Sequence, residues 1–234
     1  MTRLDDPALV ADEYADESRL RRRASIYAAD DSKDVALRAV VEAAPERLLE
    51  VGCGPGDFAA RIAAETDADV VAIDLSPRMV ELARGVGVDA RLGDVQALPF
   101  PDESFDVGVA GWMLYHVPDL ALGIAELARV LRPGGRLVAM TNSVEHLLEL
   151  RQLVGSGPAP ISFSRESGEE LLRVSFPRVE RIDVDGTVEF ADRAAVEDYV
   201  RASIVMLPRV DLLPPSIDEP FVARRATSIF VATK

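Results

Sequence analysis

The segment Leu48-Leu49-Glu50-Val51-Gly52-Cys53-Gly54-Pro55-Gly56-Asp57 constrains this chain more than any other. Leu48, Leu49 and Val51 form the short apolar run of a strand covered on both faces. Three glycines at alternate positions then let the backbone turn tightly and approach a ligand where a Cβ would collide. Asp57 is a good N-cap for a helix that begins at Phe58. Strand, glycine turn and helix make up the nucleotide-binding corner of a doubly wound α/β sheet.

Taken alone, such a corner fits NAD, FAD, S-adenosylmethionine or a plain tight turn. Its G-x-G-x-G spacing puts the third glycine out of register with the G-x-G-x-x-G dinucleotide fingerprint, which a ligand without a pyrophosphate would explain. Downstream, a second buried strand over 68–74 ends in Asp74, and Ser76-Pro77 supply an N-cap and a first-turn proline for a helix carrying Met79. A third strand over 88–92 closes at Gly93-Asp94, a fourth over 105–110 runs into Gly111-Trp112, and 121–131 has helical spacing. Arg132-Pro133-Gly134-Gly135 reads as a reversal before a fifth strand over 137–140. This alternation predicts a parallel sheet with right-handed crossovers.

Outside 47–141 the rhythm changes. Residues 6–27 read as one polar helical stretch too poor in apolar residues for a core helix, so 1–44 is expected to be a helical lid on a domain spanning 45–234. Asp31-Ser32 can cap a second helix that stops near Pro45. Ser143 can cap a helix whose first turn holds His146, 155–160 is a flexible break, and Ser167-Gly168-Glu169-Glu170 resembles a capping box. Segments 179–190 and 221–233 are strand-like. The 191–220 stretch between them, with a helix over 194–206 and four prolines, is predicted to cap one end of the sheet.

The net charge of −14 (40 acidic against 26 basic residues) repels a phosphate backbone, so no nucleic-acid partner is expected. The basic run Arg19-Leu20-Arg21-Arg22-Arg23 reads as a solvated helix face. A single cysteine, Cys53, excludes an internal disulfide and fits a reducing compartment. The opening Met1-Thr2-Arg3-Leu4-Asp5-Asp6-Pro7 has no apolar signal region and no run is long enough to cross a bilayer. A cytoplasmic protein without a membrane partner, a monomer or homodimer, is the expectation. No residues have metal-ligand spacing.

Ligands of open α/β sheets bind at the carboxyl ends of the strands. Asp74, at the end of the second strand, can accept from a ribose diol or cap the helix after it. Asp94 can accept from an adenine amine while the Val95 N–H donates to the ring, or it can simply form the Gly-Asp turn. Glu50, a carboxylate inside an apolar strand, needs a partner, met by a cationic ligand or water beside the turn.

Four stretches in order, Leu49-Glu50-Val51-Gly52-Cys53-Gly54-Pro55-Gly56, Asp74-Leu75-Ser76-Pro77-Arg78-Met79, Gly93-Asp94-Val95-Gln96-Ala97-Leu98-Pro99-Phe100 and Leu131-Arg132-Pro133-Gly134-Gly135, resemble the motifs of class I S-adenosylmethionine-dependent methyltransferases. The likeness, over about 47–141, is greatest to the small-molecule branch that includes the ubiquinone and menaquinone methyltransferases. It implies a Rossmann-like seven-stranded sheet, mostly parallel, whose last strand is antiparallel. It also implies S-adenosylmethionine as cofactor, S-adenosylhomocysteine as product, and a small-molecule acceptor methylated at oxygen, nitrogen or carbon. By the family pattern Glu50 and the turn Gly52, Cys53, Gly54 and Gly56 would lie along the methionine portion of the cofactor. Asp74 would bind the ribose, Leu75 and Met79 would border the adenine, and Gly93, Asp94 and Val95 would meet its edge. Ala110, Gly111 and Trp112 would form the floor near the sulfonium.

The acceptor side lies outside the likeness. His116 and His146, the two histidines, follow strand ends on the ligand side of the sheet and are the candidate bases, with a turn-building role for His116 and a surface position for His146 as the alternatives. Tyr14, Tyr27, Trp112 and Tyr115 can wall a pocket, and Cys53 reads as a small filler of the turn. Competing functions are a protein or RNA methyltransferase, an NAD-dependent oxidoreductase and a cofactor-binding protein without catalysis. The Gly111-Trp112-Met113-Leu114 sequence lacks the Asn-Pro-Pro-Tyr-type tetrapeptide of nucleic-acid amine methyltransferases.

Overall fold

A computed structural model describes residues 4–15, 17–27, 31–159 and 161–234. Residues 1–3, 16 and 28–30 of the expected lid, and Pro160 of the expected break, lie outside the described residues. Seven strands, β1 (Arg47–Val51), β2 (Asp69–Asp74), β3 (Asp89–Leu92), β4 (Phe105–Gly111), β5 (Leu131–Asn142), β6 (Arg178–Phe190) and β7 (Phe221–Thr233), form one sheet in the order β3-β2-β1-β4-β5-β7-β6. The first five are parallel to one another, and β7 runs antiparallel between β5 and β6. This is the doubly wound sheet with an antiparallel last strand that the motif order implied.

The helices are α1 (Pro7–Glu13), α2 (Ser18–Ala24), α3 (Ser32–Glu42), α4 (Asp57–Glu65), α5 (Pro77–Gly85), α6 (Leu120–Val130), α7 (Leu148–Leu153), α8 (Gly168–Arg173) and α9 (Arg193–Ala202). Side chains alternate across a strand, so β1 feeds both layers. Leu48 packs with Leu37 and Val40 of α3 and Phe58 and Ile62 of α4, whereas Leu49 and Val51 join Ile124 and Leu127 of α6 with Phe163 and Phe176. Glu50 has the parity of Leu48 and therefore faces the α3–α4 layer.

Several local expectations change. The 6–27 stretch is two helices and a 3-10 turn (Ser25–Tyr27), broken where Tyr14 ends α1. Gly56 is the N-cap of α4, because its φ of 85° turns the chain into the helix and makes Asp57 the first helical residue. Asp31 precedes α3 without a capping bond; its carboxylate meets Arg225 instead. The Ser167 hydroxyl donates to the Ser162 carbonyl, so the expected capping box is not formed. Arg132–Gly135 interrupts the pairing of one continuous β5 as a bulge, with Phe105 opposite Leu131 and then Val107 opposite Arg136. His146 precedes α7 instead of lying in its first turn. Ser143 and Leu147 donate backbone bonds to Ala226 and Arg224 at 2.9 and 2.8 Å, which pins 143–147 to β7 until Leu147 (φ 54°) releases the chain into α7.

The β6–β7 ladder extends past the end of β5. Asn142 pairs with Thr227, while β7 begins at Phe221, six residues earlier, so the ladder overhangs the carboxyl edge of the sheet by roughly 20 Å. The 191–220 segment, α9 and a 3-10 turn over Leu207–Leu212, packs on this overhang with α7 through Leu147, Leu150, Phe190, Val196, Val200 and Met206. Its helix ends at Ala202, four residues short of the expected 206.

Gly56 is bound by space as well as by dihedral angle. A Cβ on it would lie 2.7 Å from that of Ala83 on α5, whereas one on Gly54 would meet only Leu20, at 3.7 Å. Gly56→Ala is therefore expected to destabilise the protein by about 3 kcal/mol, strain and overpacking together, and Gly54→Ala by no more than about 1 kcal/mol. Urea midpoints of the two variants measure the difference.

Candidate functional site

Two adjoining cavities open at the carboxyl edge of the sheet. The larger, about 430 Å³, is lined by Lys33, Glu50, Cys53, Gly54, Asp57, Gly111 and Trp112, with Leu20, Ala24 and Tyr27 from the N-terminal helices above. The smaller, about 160 Å³, runs between α1, the 143–151 segment and the chain after α9. Tyr14, Arg23, Tyr115, Asn142, His146 and Tyr199 line both.

Glu50 lines the larger cavity. It is 3% exposed, and its Oε2 has no hydrogen-bond partner. Burial is the main force that pushes its carboxyl up to about 8, with Asp74 and Asp57 adding to it and Lys33 opposing. An acid so placed is uncharged at neutral pH until a cation joins it. Burial likewise raises the Cys53 thiol, which suits the small filler expected there and not a nucleophile.

Asp74 stands behind the turn. Its Oδ2 accepts from the Gly54 N–H at 2.8 Å and its Oδ1 from the Ser76 N–H at 2.9 Å, each oxygen keeping a further lone pair. Burial raises its pKa and these amides pull it back. The Ser76 hydroxyl bonds the Tyr14 carbonyl at 2.8 Å and Arg78 pairs with Glu17 at 3.1 Å, fastening the α1–α2 connection over this corner. Ser76 also caps α5 as its position predicted, accepting from the Met79 N–H. Asp94 accepts from the Gln96 backbone and side chain, which shapes the turn over Val95–Ala97.

The structure thus gathers Glu50, Cys53, Gly54, Gly111, Trp112 and His146 around the larger cavity and His116 and His146 around the smaller one. Asp74, Leu75, Met79, Gly93, Asp94 and Val95 line neither. Leu75 is exposed, whereas Met79, Val95 and Ala110 are buried in the packing at the strand ends. Gly52 lies in the turn with its backbone against Met113.

The floor is strained. Trp112 has φ 53°, held by its N–H to the Met140 carbonyl at 2.9 Å. Its indole N–H and the Thr227 hydroxyl both donate to Asn142 Oδ1, at 3.1 Å each, so the Asn142 amide NH₂ is left for the cavities.

The two histidines differ in tautomer. His116 Nδ1 lies 2.8 Å from the Leu4 carbonyl, which can only accept, so in the neutral ring Nε2 carries the lone pair and takes the Tyr14 hydroxyl at 3.0 Å. In His146 the Ala226 N–H donates to Nδ1 at 3.1 Å, so Nε2 carries the proton toward the Tyr27 hydroxyl at 2.8 Å. Burial lowers the His116 pKa and raises those of Tyr14 and Tyr115, the latter to about 12.

Sequence reasoning missed Glu13, Arg23, Asn142, Arg151 and Tyr199 as lining residues. Arg23 turns inward from the basic run to pair with Glu13 and to reach the Ala202 carbonyl, while Arg21 and Arg22 are exposed, Arg21 also lining the larger cavity. A helical count could have flagged it, since Arg23 is three residues from Leu20, which faces the glycine turn.

Sheet order and glycine corner are those of the Rossmann-like fold that solved methyltransferases share. Residues 49–139 match the family model described as a methyltransferase domain. The chain is 45% identical over 102 residues to 27-O-demethylrifamycin SV methyltransferase of Amycolatopsis mediterranei, covering 40% of this chain and 38% of that one. It is 36% identical over 152 residues to demethylmenaquinone methyltransferase of Tropheryma whipplei, covering 56% and 62%, so it spans less than two thirds of either relative. Among solved structures, an S-adenosylmethionine-dependent methyltransferase of Thermotoga maritima superposes with a TM-score of 0.62 at 21% identity, over 95% of this chain and 99% of that one. No helix among the described residues is long and apolar enough to cross a membrane.

Proposed function

We propose that this protein transfers the methyl group of S-adenosylmethionine to a small organic acceptor seated in the smaller cavity. The carrying observation is Glu50 Oε2, a buried oxygen without a hydrogen-bond partner among the described residues, on a side chain lining a cavity that shares its wall with a second one. A cofactor with an ammonium group beside Glu50 supplies the missing partner, and the open side of Gly54 leaves room for its chain. Glu50 and the turn Gly52 to Gly56 would hold the amino-acid portion, Asp74 the ribose, and Leu75, Met79, Gly93, Asp94 and Val95 the adenine. Ala110, Gly111 and Trp112 would lie beneath the sulfonium. The cofactor brings an already activated methyl group, so alignment and exclusion of water are the protein's task, worth on the order of 7–11 kcal/mol. Residues 4–27 serve as the lid and 191–220 as the wall of the acceptor pocket.

Calorimetric titration with S-adenosylmethionine and S-adenosylhomocysteine tests the reading. Micromolar binding of either is expected, and no binding by folded protein overturns it. Asp74→Ala is expected to weaken S-adenosylhomocysteine binding by about 1–3 kcal/mol, the scale of a lost charged hydrogen bond. Asp74→Asn can keep one of the two amide bonds that hold the turn, and so separates charge from scaffolding.

A further inference from the structure

The smaller cavity holds more positive charge than its own carboxylate balances. Arg23 and Arg151 both line it, against one lining carboxylate among the described residues, Glu13. Glu13 is 4% exposed and is already held by Arg23 on one side and Arg19 on the other. Arg151, on α7, is 8% exposed. Its Nε donates to the Gly157 carbonyl at 2.8 Å, and no carboxylate among the described residues lies within ion-pair distance of it. The nearest carboxylates of its own helix and of the preceding turn, Glu149 and Glu145, are turned to Arg224 on the surface.

A guanidinium has five N–H donors in a planar fork that matches an oxyanion. The Gly157 carbonyl takes one. Burying a charge without a counter-charge is unfavourable, and none of the carboxylates among the described residues pairs with it. Arg209, bonded to the Gly155 carbonyl at 2.9 Å, adds to the same field. Around this point the cavity offers donors: the Asn142 amide NH₂ at the junction with the larger cavity, and the Tyr115 and Tyr199 side chains. An ammonium-bearing acceptor would meet like charge beside Arg151.

We propose that the acceptor carries an oxyanion, a carboxylate or a phosphate monoester, that seats on Arg151, while the atom to be methylated lies at the junction of the two cavities. This rests on the methyltransferase reading. Arg151 then fixes the substrate class: small anionic metabolites are taken, and their neutral amides are rejected.

The test is calorimetric titration of the full chain, loaded with S-adenosylhomocysteine and then free of it, with benzoate, phenyl phosphate and benzamide as probes. The wild type is expected to bind benzoate or phenyl phosphate at least tenfold more tightly than benzamide. Whichever of the two anions binds more tightly names the oxyanion. Arg151→Gln is expected to remove at least tenfold of that affinity and to leave benzamide unchanged, with S-adenosylhomocysteine affinity retained as the sign of an intact fold. Should that variant not fold, Arg151→Lys, which keeps the charge and loses the fork, is expected to lie between the two. Equal binding of all three probes by the wild type, or a folded Arg151→Gln that keeps its anion affinity, overturns the proposal. S-adenosylhomocysteine binding without anion preference sinks this inference alone. Arg151-dependent anion binding by a protein that does not take S-adenosylhomocysteine supports the anion site and overturns the cofactor reading instead.

Discussion

Glu50→Gln is expected to weaken S-adenosylhomocysteine binding by about 10- to 100-fold, the effect of losing a charge-assisted hydrogen bond. The same substitution is expected to stabilise the cofactor-free protein at alkaline pH. Both follow from one carboxyl raised by burial from 4.5 to about 8. In the unfolded chain the group ionises near its ordinary value, so between the two values the folded state holds the extra proton. Stability from this group is therefore complete below about pH 4.5 and is lost as pH rises through about 8. The wild type should lose melting temperature between pH 6 and 9 more steeply than Glu50→Gln, whose amide does not titrate, while the two converge near pH 5. Cofactor binding works against the same proton. An ammonium group needs the carboxylate, so binding at pH 7 should release close to one proton, seen as a dependence of calorimetric heat on the buffer's ionisation enthalpy. Affinity should rise with pH and level off near 8. Equal proton release by Glu50→Gln would show that another group is the source.

The fold was legible because its signals are local and repeated. Apolar runs bounded by glycine turns and capped helices mark the first five strands, and four motifs in order fix their sequence around the sheet. What escaped was set by contacts far apart in the chain. His146 looked helical because Ser143 is a good cap, yet backbone bonds to β7, some 80 residues away, hold 143–147 as a turn. Asp57 looked like the cap of α4, but the positive φ of Gly56 had already turned the chain. The site divided in the same way. Glu50 was legible as a carboxylate in an apolar strand, a local contradiction that called for a partner. Arg151 was not, since an arginine on a short helix with Glu149 beside it reads as a surface residue, whereas it is buried with its Nε on the Gly157 carbonyl. The lining of the smaller cavity is assembled from residues as far apart as Leu4, Arg23, Tyr115, Arg151 and Met206, and no spacing rule joins them.

His116→Gln is expected to lower kcat by about 10²- to 10³-fold on an acceptor methylated at a protonated oxygen or nitrogen, within the range for loss of a general base. His146→Gln is expected to lower it less than tenfold. The asymmetry comes from the tautomers. A base needs its lone pair toward the proton it takes, and His116 directs Nε2 at the Tyr14 hydroxyl while Nδ1–H is anchored on the Leu4 carbonyl. Protonation of Nε2 leaves that anchor in place, and Tyr14, which lines both cavities, is set to pass on the acceptor's proton as it gives up its own. In His146 the lone pair already accepts from the Ala226 N–H, so taking a proton there would break a backbone contact to β7. Burial holds His116 below the ordinary histidine value, so it is neutral and ready through physiological pH. The acid limb of kcat/KM should therefore fall below 6.5 in the wild type and disappear in His116→Gln. S-adenosylhomocysteine affinity provides the control, because His116 lines the smaller cavity and not the larger, and should change less than threefold. An unchanged kcat in a folded His116→Gln would mean that the acceptor reaches the site already ionised. Tyr14 and His116 would then only shape the wall.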